Sequence, residues 1–178
     1  ELLIEDGDRL GLTALRDVDV IRQQLIEDSL AGCQDLQGPK VLDLGSGGGC
    51  PGIPIAIARP DLQVVLLEAN GRKMGFLKYA VPKLGLANVD FLHGRSEEFA
   101  HQPQWRGKFD AVVCKAVAAL PALIELTIPF LRVGGCLWAY KGPQLSTEID
   151  QSRKALLELR AQVDQVTPYQ NGERSLFL

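Results

Sequence analysis

Five of the ten residues from Asp43 to Gly52 are glycine, and the segment begins within the apolar run Lys40-Val-Leu-Asp-Leu. Glycine reaches positive φ without steric cost and lets a ligand approach the main chain closely. An apolar run of this length stopped by glycines reads as a buried strand. Beyond the glycines, Pro54 to Arg59 begins an apolar helix closed by Pro60. A strand, a glycine turn and a helix in this order aim the helix's free N–H groups and positive dipole end into the space beyond the strand.

The same alternation continues along the chain. Strands are predicted at Gln63–Glu68, Val89–His93, Phe109–Cys114 and Cys136–Tyr140, with the start of a last one at Arg174–Leu178. Helices are predicted at Arg72–Leu84, where Phe76, Leu77, Ala80 and Leu84 share one face, and at Leu120–Leu131 and Thr147–Gln162. Ser96–Phe99 reads as a short helical turn, with Ser96 as its N-cap. Before Lys40, Val18–Leu30 reads as one amphipathic helix capped by Asp17 or Asp19. Gly134-Gly135 is expected to turn the chain into the fifth strand. Alternating strands and helices give an α/β fold, a mostly parallel sheet with helices on both faces. Right-handed crossovers then place the ligand crevice at the carboxyl ends of the strands.

Bulk properties fit one domain. A chain of 178 residues buries roughly 70% of its unfolded surface and needs no staple. Cys33, Cys50, Cys114 and Cys136 are widely spaced without a CxxC pair, so neither a disulfide framework nor a metal site is expected, and a reducing cytoplasm fits. No apolar run is long enough for a membrane helix, and no basic-then-apolar start marks a signal peptide. The chain opens at Glu1 without a methionine, so further terminal residues are expected. Nothing suggests a coiled-coil seam, and a monomer is expected. The net charge of −3 does not advertise nucleic-acid binding, but basic residues gathered on one face escape that measure.

Two cofactors use a glycine loop of this kind. Gly47 to Gly52 satisfies G-x-G-x-x-G, the dinucleotide fingerprint. Pro51, however, removes an N–H where a pyrophosphate needs donors. Asp43, Gly45, Gly47 and Gly49 satisfy Asp-x-Gly-x-Gly-x-Gly, the S-adenosylmethionine (AdoMet) pattern. An acid before the loop is poorly placed beside a pyrophosphate and tolerates a cofactor with a sulfonium and an amino group. Glu68, ending the second strand, can accept hydrogen bonds from ribose hydroxyls, which both cofactors carry. Ser96 and Glu97 follow the third strand, where an adenine edge would lie. Lys115 and Lys141 end the fourth and fifth strands, where cations can meet a carboxylate or a phosphate.

With these residues in view, the chain resembles the RsmG (GidB, glucose-inhibited division protein B) family. The most specific piece is Asp43-Leu-Gly-Ser-Gly-Gly-Gly-Cys-Pro-Gly-Ile-Pro54 followed by Ala58-Arg-Pro60. Leu67-Glu68, Arg72-Lys73, Phe76-Leu77, Gly94-Arg-Ser-Glu-Glu-Phe99 and Lys115-Ala116 support it, as do Leu12-Thr13 with Arg16 and Asp28-Ser29-Leu30 near the start. Gly11, Leu25 and Lys115 stand where the family often carries Asn, His and Arg. The resemblance implies a Rossmann-like class I fold with a seven-stranded type of sheet. It divides the chain into an N-terminal helical segment, 1–38, packed on the core and an AdoMet-binding domain, 39–178. It implies a bacterial enzyme that methylates N7 of a guanine in the 530-loop of 16S rRNA, within or near the small ribosomal subunit.

Loop and resemblance together give a cofactor set of Asp43, Gly45, Ser46, Gly47, Gly49, Cys50, Glu68, Ala69, Ser96, Glu97 and Lys115, with Arg95, Lys115 and Lys141 toward RNA. Arg72, Lys73, Lys78 and Lys83 on one helix and Arg106 and Lys108 elsewhere could add to a basic surface, although Lys78 and Lys83 read better as a solvated face. Trp105 could stack on a base, while Trp138 in an apolar strand reads as core. No residue is singled out as catalytic, because guanine N7 carries a free lone pair and needs no base. An NAD-linked oxidoreductase on a similar sheet, and a ribosome-associated module that holds AdoMet without turnover, remain open alternatives.

Overall fold

A computed structural model describes residues 2–169 and 174–177 of the chain. Five strands run parallel: β1 (Lys40–Leu44), β2 (Gln63–Glu68), β3 (Val89–His93), β4 (Phe109–Lys115) and β5 (Leu131–Lys141). Two more, β6 (Val166–Tyr169) and β7 (Arg174–Phe177), pair antiparallel, with β7 against β5. The order across the sheet is β3-β2-β1-β4-β5-β7-β6. The chain winds outward from β1 to β3, then returns to lay β4 on the other side of β1. Such a reversal opens a crevice at the carboxyl ends of the two central strands. The α/β class expected from the alternation is the class observed.

The pleat sends successive side chains to opposite faces, and two separate cores result. Val41, Val64, Leu66, Ala111, Val113, Trp138 and Tyr140 share the first face. It is covered by α4 (Gly52–Ala58) and α5 (Gly71–Lys83), and by an N-terminal stretch in which α1 (Leu2–Leu10) packs on α5 and α3 (Asp28–Leu30) packs on α4. Leu42, Leu44, Val65, Leu67, Val112, Cys114, Leu137 and Ala139 share the second face, under α6 (Ser96–Ala100), α7 (Leu120–Thr127) and α8 (Leu145–Glu158). This parity carries to the strand ends. Asp43 and Lys115 fall in step with the first face, and Lys141 with the second.

Several elements differ from the sequence reading. Leu2–Leu10 is a helix that the pattern did not reveal, and β6 was likewise unseen. Val18–Leu30 is helical throughout but not uniformly α: α2 (Val18–Ile21) passes into a π-helix, Arg22–Glu27, before α3. Its cap is Asp17, whose Oδ1 accepts from Asp19 N at 2.9 Å and Val20 N at 3.0 Å. The helix expected to reach Leu131 gives way to a 3₁₀ turn at Ile128–Phe130, where Pro129 supplies no N–H. Gly134-Gly135 lies inside β5 rather than before it. There the strand bulges, since Phe109 pairs with Leu131 while Ala111 pairs with Cys136. Leu178, at the end of the expected last strand, lies outside the described residues. Among the described residues no helix is long and apolar enough to cross a membrane, and no group of three His, Cys, Asp or Glu could hold a metal ion.

Candidate cofactor and substrate crevice

The glycine loop is stitched to β2. Gly45 N and Ser46 N donate to Leu67 O at 2.9 and 3.0 Å, and Gly47 N donates to Glu68 Oε2 at 2.8 Å. Ser46 Oγ donates to Asp43 O at 2.9 Å. Gly47 sits at φ +56, and a Cβ there would meet only Gly45 O, at an ordinary contact distance of 3.8 Å, so the main chain there is lightly covered. Gly52 is glycine for a different reason. A Cβ on it would press on Leu66 and come within 2.5 Å of Asp43 Oδ2.

Two acids frame this loop. Glu68 is 8% exposed at the end of β2. Its Oε2 accepts from Gly47 N, and its Oε1 accepts from Asn70 N at 2.7 Å. Both oxygens are thereby oriented, and each carboxylate oxygen has a further lone pair for a ribose hydroxyl. Asp43 is fully buried, with Oδ2 accepting from Gly52 N at 2.9 Å and Oδ1 without a partner. Burial raises its carboxyl to about 7, against the opposing pull of the Gly52 amide. An unsatisfied buried oxygen under a glycine loop marks a place for a bound cation or donor.

A pH dependence of stability results. Asp43 titrates near 3.8 when unfolded and near 7 when folded, so between these values the folded state holds the extra proton. Its contribution to stability is complete at low pH and is lost as pH rises toward 7. Without cofactor, the melting temperature of Asp43→Asn relative to wild type should therefore climb from pH 4 to about pH 7 and then level. A difference that is flat across this range would show that Asp43 is already ionised.

Beyond β3, Ser96 is buried and Glu97 exposed at the start of α6. Ser96 Oγ donates to Glu97 Oε2 at 3.0 Å and makes no cap bond; the cap position is Arg95. The Glu97 carboxyl is held below the usual range by its own backbone amide and then by Ser96. Ala69 and Arg95 are exposed at the ends of β2 and β3. Asn70, which the sequence reading passed over, caps α5 by accepting from Arg72 N at 2.9 Å and Lys73 N at 3.2 Å. An Asn before an amphipathic run is a recognisable start signal.

The two strand-end lysines are both engaged. Lys115 turns toward the N-terminal segment, donating to Gln24 O and lying 3.6 Å from Asp28 Oδ2. Lys141 turns to the other face, 2.6 Å from Glu148 Oε2 and donating to Ala118 O at 2.9 Å. Glu148 Oε2 also accepts from Leu120 N at 2.6 Å. After β4, Ala116 takes φ +56, and Val117 packs over Gly45. The end of β4 thus arches across the glycine loop. Burial pushes the Cys50 thiol up to about 12, opposed by the nearby Lys115 charge, so Cys50 lines the loop as a neutral thiol. An apolar cavity of about 500 Å³ borders the loop, lined by Gly48, Gly49 and Cys50 together with Leu3, Val18, Ile21, Ile53 and Phe76 among others. It contains neither Asp43 nor Glu68.

A mostly parallel sheet with this strand order and an Asp-x-Gly-x-Gly-x-Gly loop stitched to a strand-end Glu defines a class I AdoMet-dependent methyltransferase. The fold is similar to that of a SAM dependent methyltransferase from Aquifex aeolicus, with a TM-score of 0.67 at 18% identity over 96% of each chain. Residues 1–177 match the GidB family model, rRNA small subunit methyltransferase G. Proteins named Ribosomal RNA small subunit methyltransferase G are similar to it. The one from Desulfitobacterium hafniense is 36% identical over 96% of this chain and 71% of its own length. The one from Deinococcus radiodurans is 41% identical over 94% of this chain and 68% of its own. The chain belongs to the GidB family, whose activity is AdoMet-dependent methylation of small-subunit rRNA.

Proposed function

We propose that the protein transfers a methyl group to N7 of a guanine in the 530-loop of 16S rRNA, using the cofactor set Asp43, Gly45, Ser46, Gly47, Gly49, Cys50, Glu68, Ala69, Ser96, Glu97 and Lys115. The observation that carries this reading is the family match over residues 1–177; the bond from Gly47 N that ties the glycine loop to Glu68 supports the cofactor part of it. AdoMet, when bound, supplies an electrophilic methyl carbon on a sulfonium. Glu68 would hold the ribose, and the lightly covered main chain at Gly47 would admit the cofactor's close approach. Asp43, ionised beside a cation, would favour the positively charged donor.

Guanine N7 has its lone pair free at neutral pH. What the protein must supply is alignment of acceptor, methyl carbon and sulfur and electrostatics matched to a positive charge passing to the base. The acids that frame the glycine loop suit both needs, since Glu68 is oriented by backbone amides and Asp43 is buried, and each is placed to hold and orient. Exposed Arg72 at the start of α5 and Arg95 beyond β3 flank the strand ends, where basic groups can follow an RNA backbone.

Incubation of the protein with labelled AdoMet and undermethylated small subunits, followed by mapping of the labelled nucleotide, tests the reading. Label on N7 of a 530-loop guanine is the expected result. Label on a ribose or an exocyclic amine would overturn the N7 assignment. Calorimetric titration with AdoMet and NAD separates the cofactors, and tight NAD binding without AdoMet binding would overturn the reading altogether.

A further inference from the structure

We infer, on the methyl-transfer reading above, that Glu148 is a positioning residue, acting with Lys141 as a clamp on residues 116–119, the segment that follows β4. The local sequence leaves that segment poorly anchored. Ala119 holds the N-cap position of α7 and makes no side-chain bond there, since alanine has no oxygen to offer a first-turn amide. Pro121 supplies no N–H of its own. The missing acceptor comes from a distant part of the chain: Glu148 Oε2, in the first turn of α8, accepts from Leu120 N at 2.6 Å. One carboxylate thereby stands at the start of two helices, where negative charge is favourable.

The same oxygen lies 2.6 Å from the Lys141 ammonium, which also donates to Ala118 O at 2.9 Å. The pair therefore holds the chain at an amide and at a carbonyl two residues earlier. The Lys141 and Glu148 side chains are only 10% and 17% exposed. An ion pair so covered contributes little net stability, because desolvation offsets attraction. What it does here is fix main chain. The segment needs fixing, because Ala116 takes φ +56, a conformation that a residue with a Cβ keeps only when its surroundings impose it. Val117 then lies over Gly45, so close that a Cβ on the glycine would come within 2.8 Å of its Cγ2.

The order of strands gives that placement a use. β2 stands next to β3, and β1 between β2 and β4. A cofactor with its adenine beside Ser96 and Glu97 beyond β3, and its ribose at Glu68 on β2, has its sulfonium and amino-acid end left to lie over β1 toward β4. Val117 borders that end. Methyl transfer depends on close alignment of donor and acceptor, and a small displacement costs rate steeply. A loosened 116–119 segment would leave the cofactor bound and its reactive end poorly walled.

Two measurements test this. In cofactor-free protein, amide hydrogen exchange over residues 117–120 should run about tenfold faster in Glu148→Ala than in wild type, with exchange elsewhere unchanged. In single-turnover methylation of undermethylated small subunits at saturating AdoMet, Glu148→Ala should be slower by about thirtyfold, while AdoMet affinity changes less than about threefold. Glu148→Gln keeps an acceptor for Leu120 N and should lose only about threefold in rate. Lys141→Met combined with Glu148→Gln should be slowed by less than the product of the separate losses, because the two side chains act as one clamp. Unchanged exchange in Glu148→Ala, a wild-type rate, or losses that multiply would overturn the inference. So would faster exchange along the whole chain, the mark of general destabilisation. Should Glu148→Ala fail to fold, the combined variant, which leaves no unpaired charge, takes its place in both measurements. Wild-type protein that transfers no label to subunits would overturn the rRNA reading, and the exchange measurement, which needs no RNA, still decides the clamp.

Discussion

Gly52→Ala should cost about 3 kcal/mol of folding stability, the upper part of the range for overpacking a filled core. The added methyl would press on Leu66 and stand 2.5 Å from Asp43 Oδ2 and 2.9 Å from Asp43 Cβ. Leu66 is completely buried and has no space to yield. Asp43 cannot withdraw without releasing Gly52 N, its 2.9 Å partner. The strain falls where β1, β2 and the first turn of α4 meet, directly under the cofactor loop. Urea unfolding should show a lower midpoint with little change in slope. An alanine variant with the wild-type midpoint would mean that α4 sits farther from β1 than described.

Glu68→Ala should weaken AdoMet binding about 100-fold while leaving the protein folded. Hydrogen bonds to a charged acceptor contribute roughly 1.5–3 kcal/mol each, and tenfold in affinity is about 1.4 kcal/mol. The substitution removes the proposed ribose acceptor and also the acceptor of Gly47 N and Asn70 N, so the loop and the cap of α5 lose a common anchor. Glu68→Gln keeps one oxygen and should lose only about tenfold. Calorimetric titration measures both. Equal affinity for wild type and Glu68→Ala would remove Glu68 from the cofactor site.

The order of strands and the glycine turn were legible from sequence because both are local. Strand length, apolar character and the glycines that stop each run are written within a few residues, and the crevice follows from topology. Leu2–Leu10 was invisible for the opposite reason: its apolar residues find their role only by packing on α5, a contact between distant parts of the chain. The bulge in β5 has the same origin, since Gly134-Gly135 reads locally as a turn and becomes strand only through pairing with β4.

The candidate site divides along the same line. Asp43 and Glu68 could be named from their distance to the glycines. The partners of Lys115 could not, because Gln24 and Asp28 come from a segment whose one-turn widening leaves no trace in hydrophobic period. Family resemblance singled out Asp28-Ser29-Leu30 without saying what it touches. The structure supplies the contact: Asp28 meets the end of β4, and Ser29 presents its carbonyl to Tyr140.

Because three successive loop amides, those of Gly45, Ser46 and Gly47, all end on Leu67 or Glu68, the loop has no hinge of its own. The element that would cradle the methionine half of a cofactor and the acid that would grip its ribose form one rigid jaw, cast before any ligand arrives. Little ordering remains to be done on binding. The converse is brittleness: a disturbance at the end of β2 would disarm both halves of the grip together instead of loosening one.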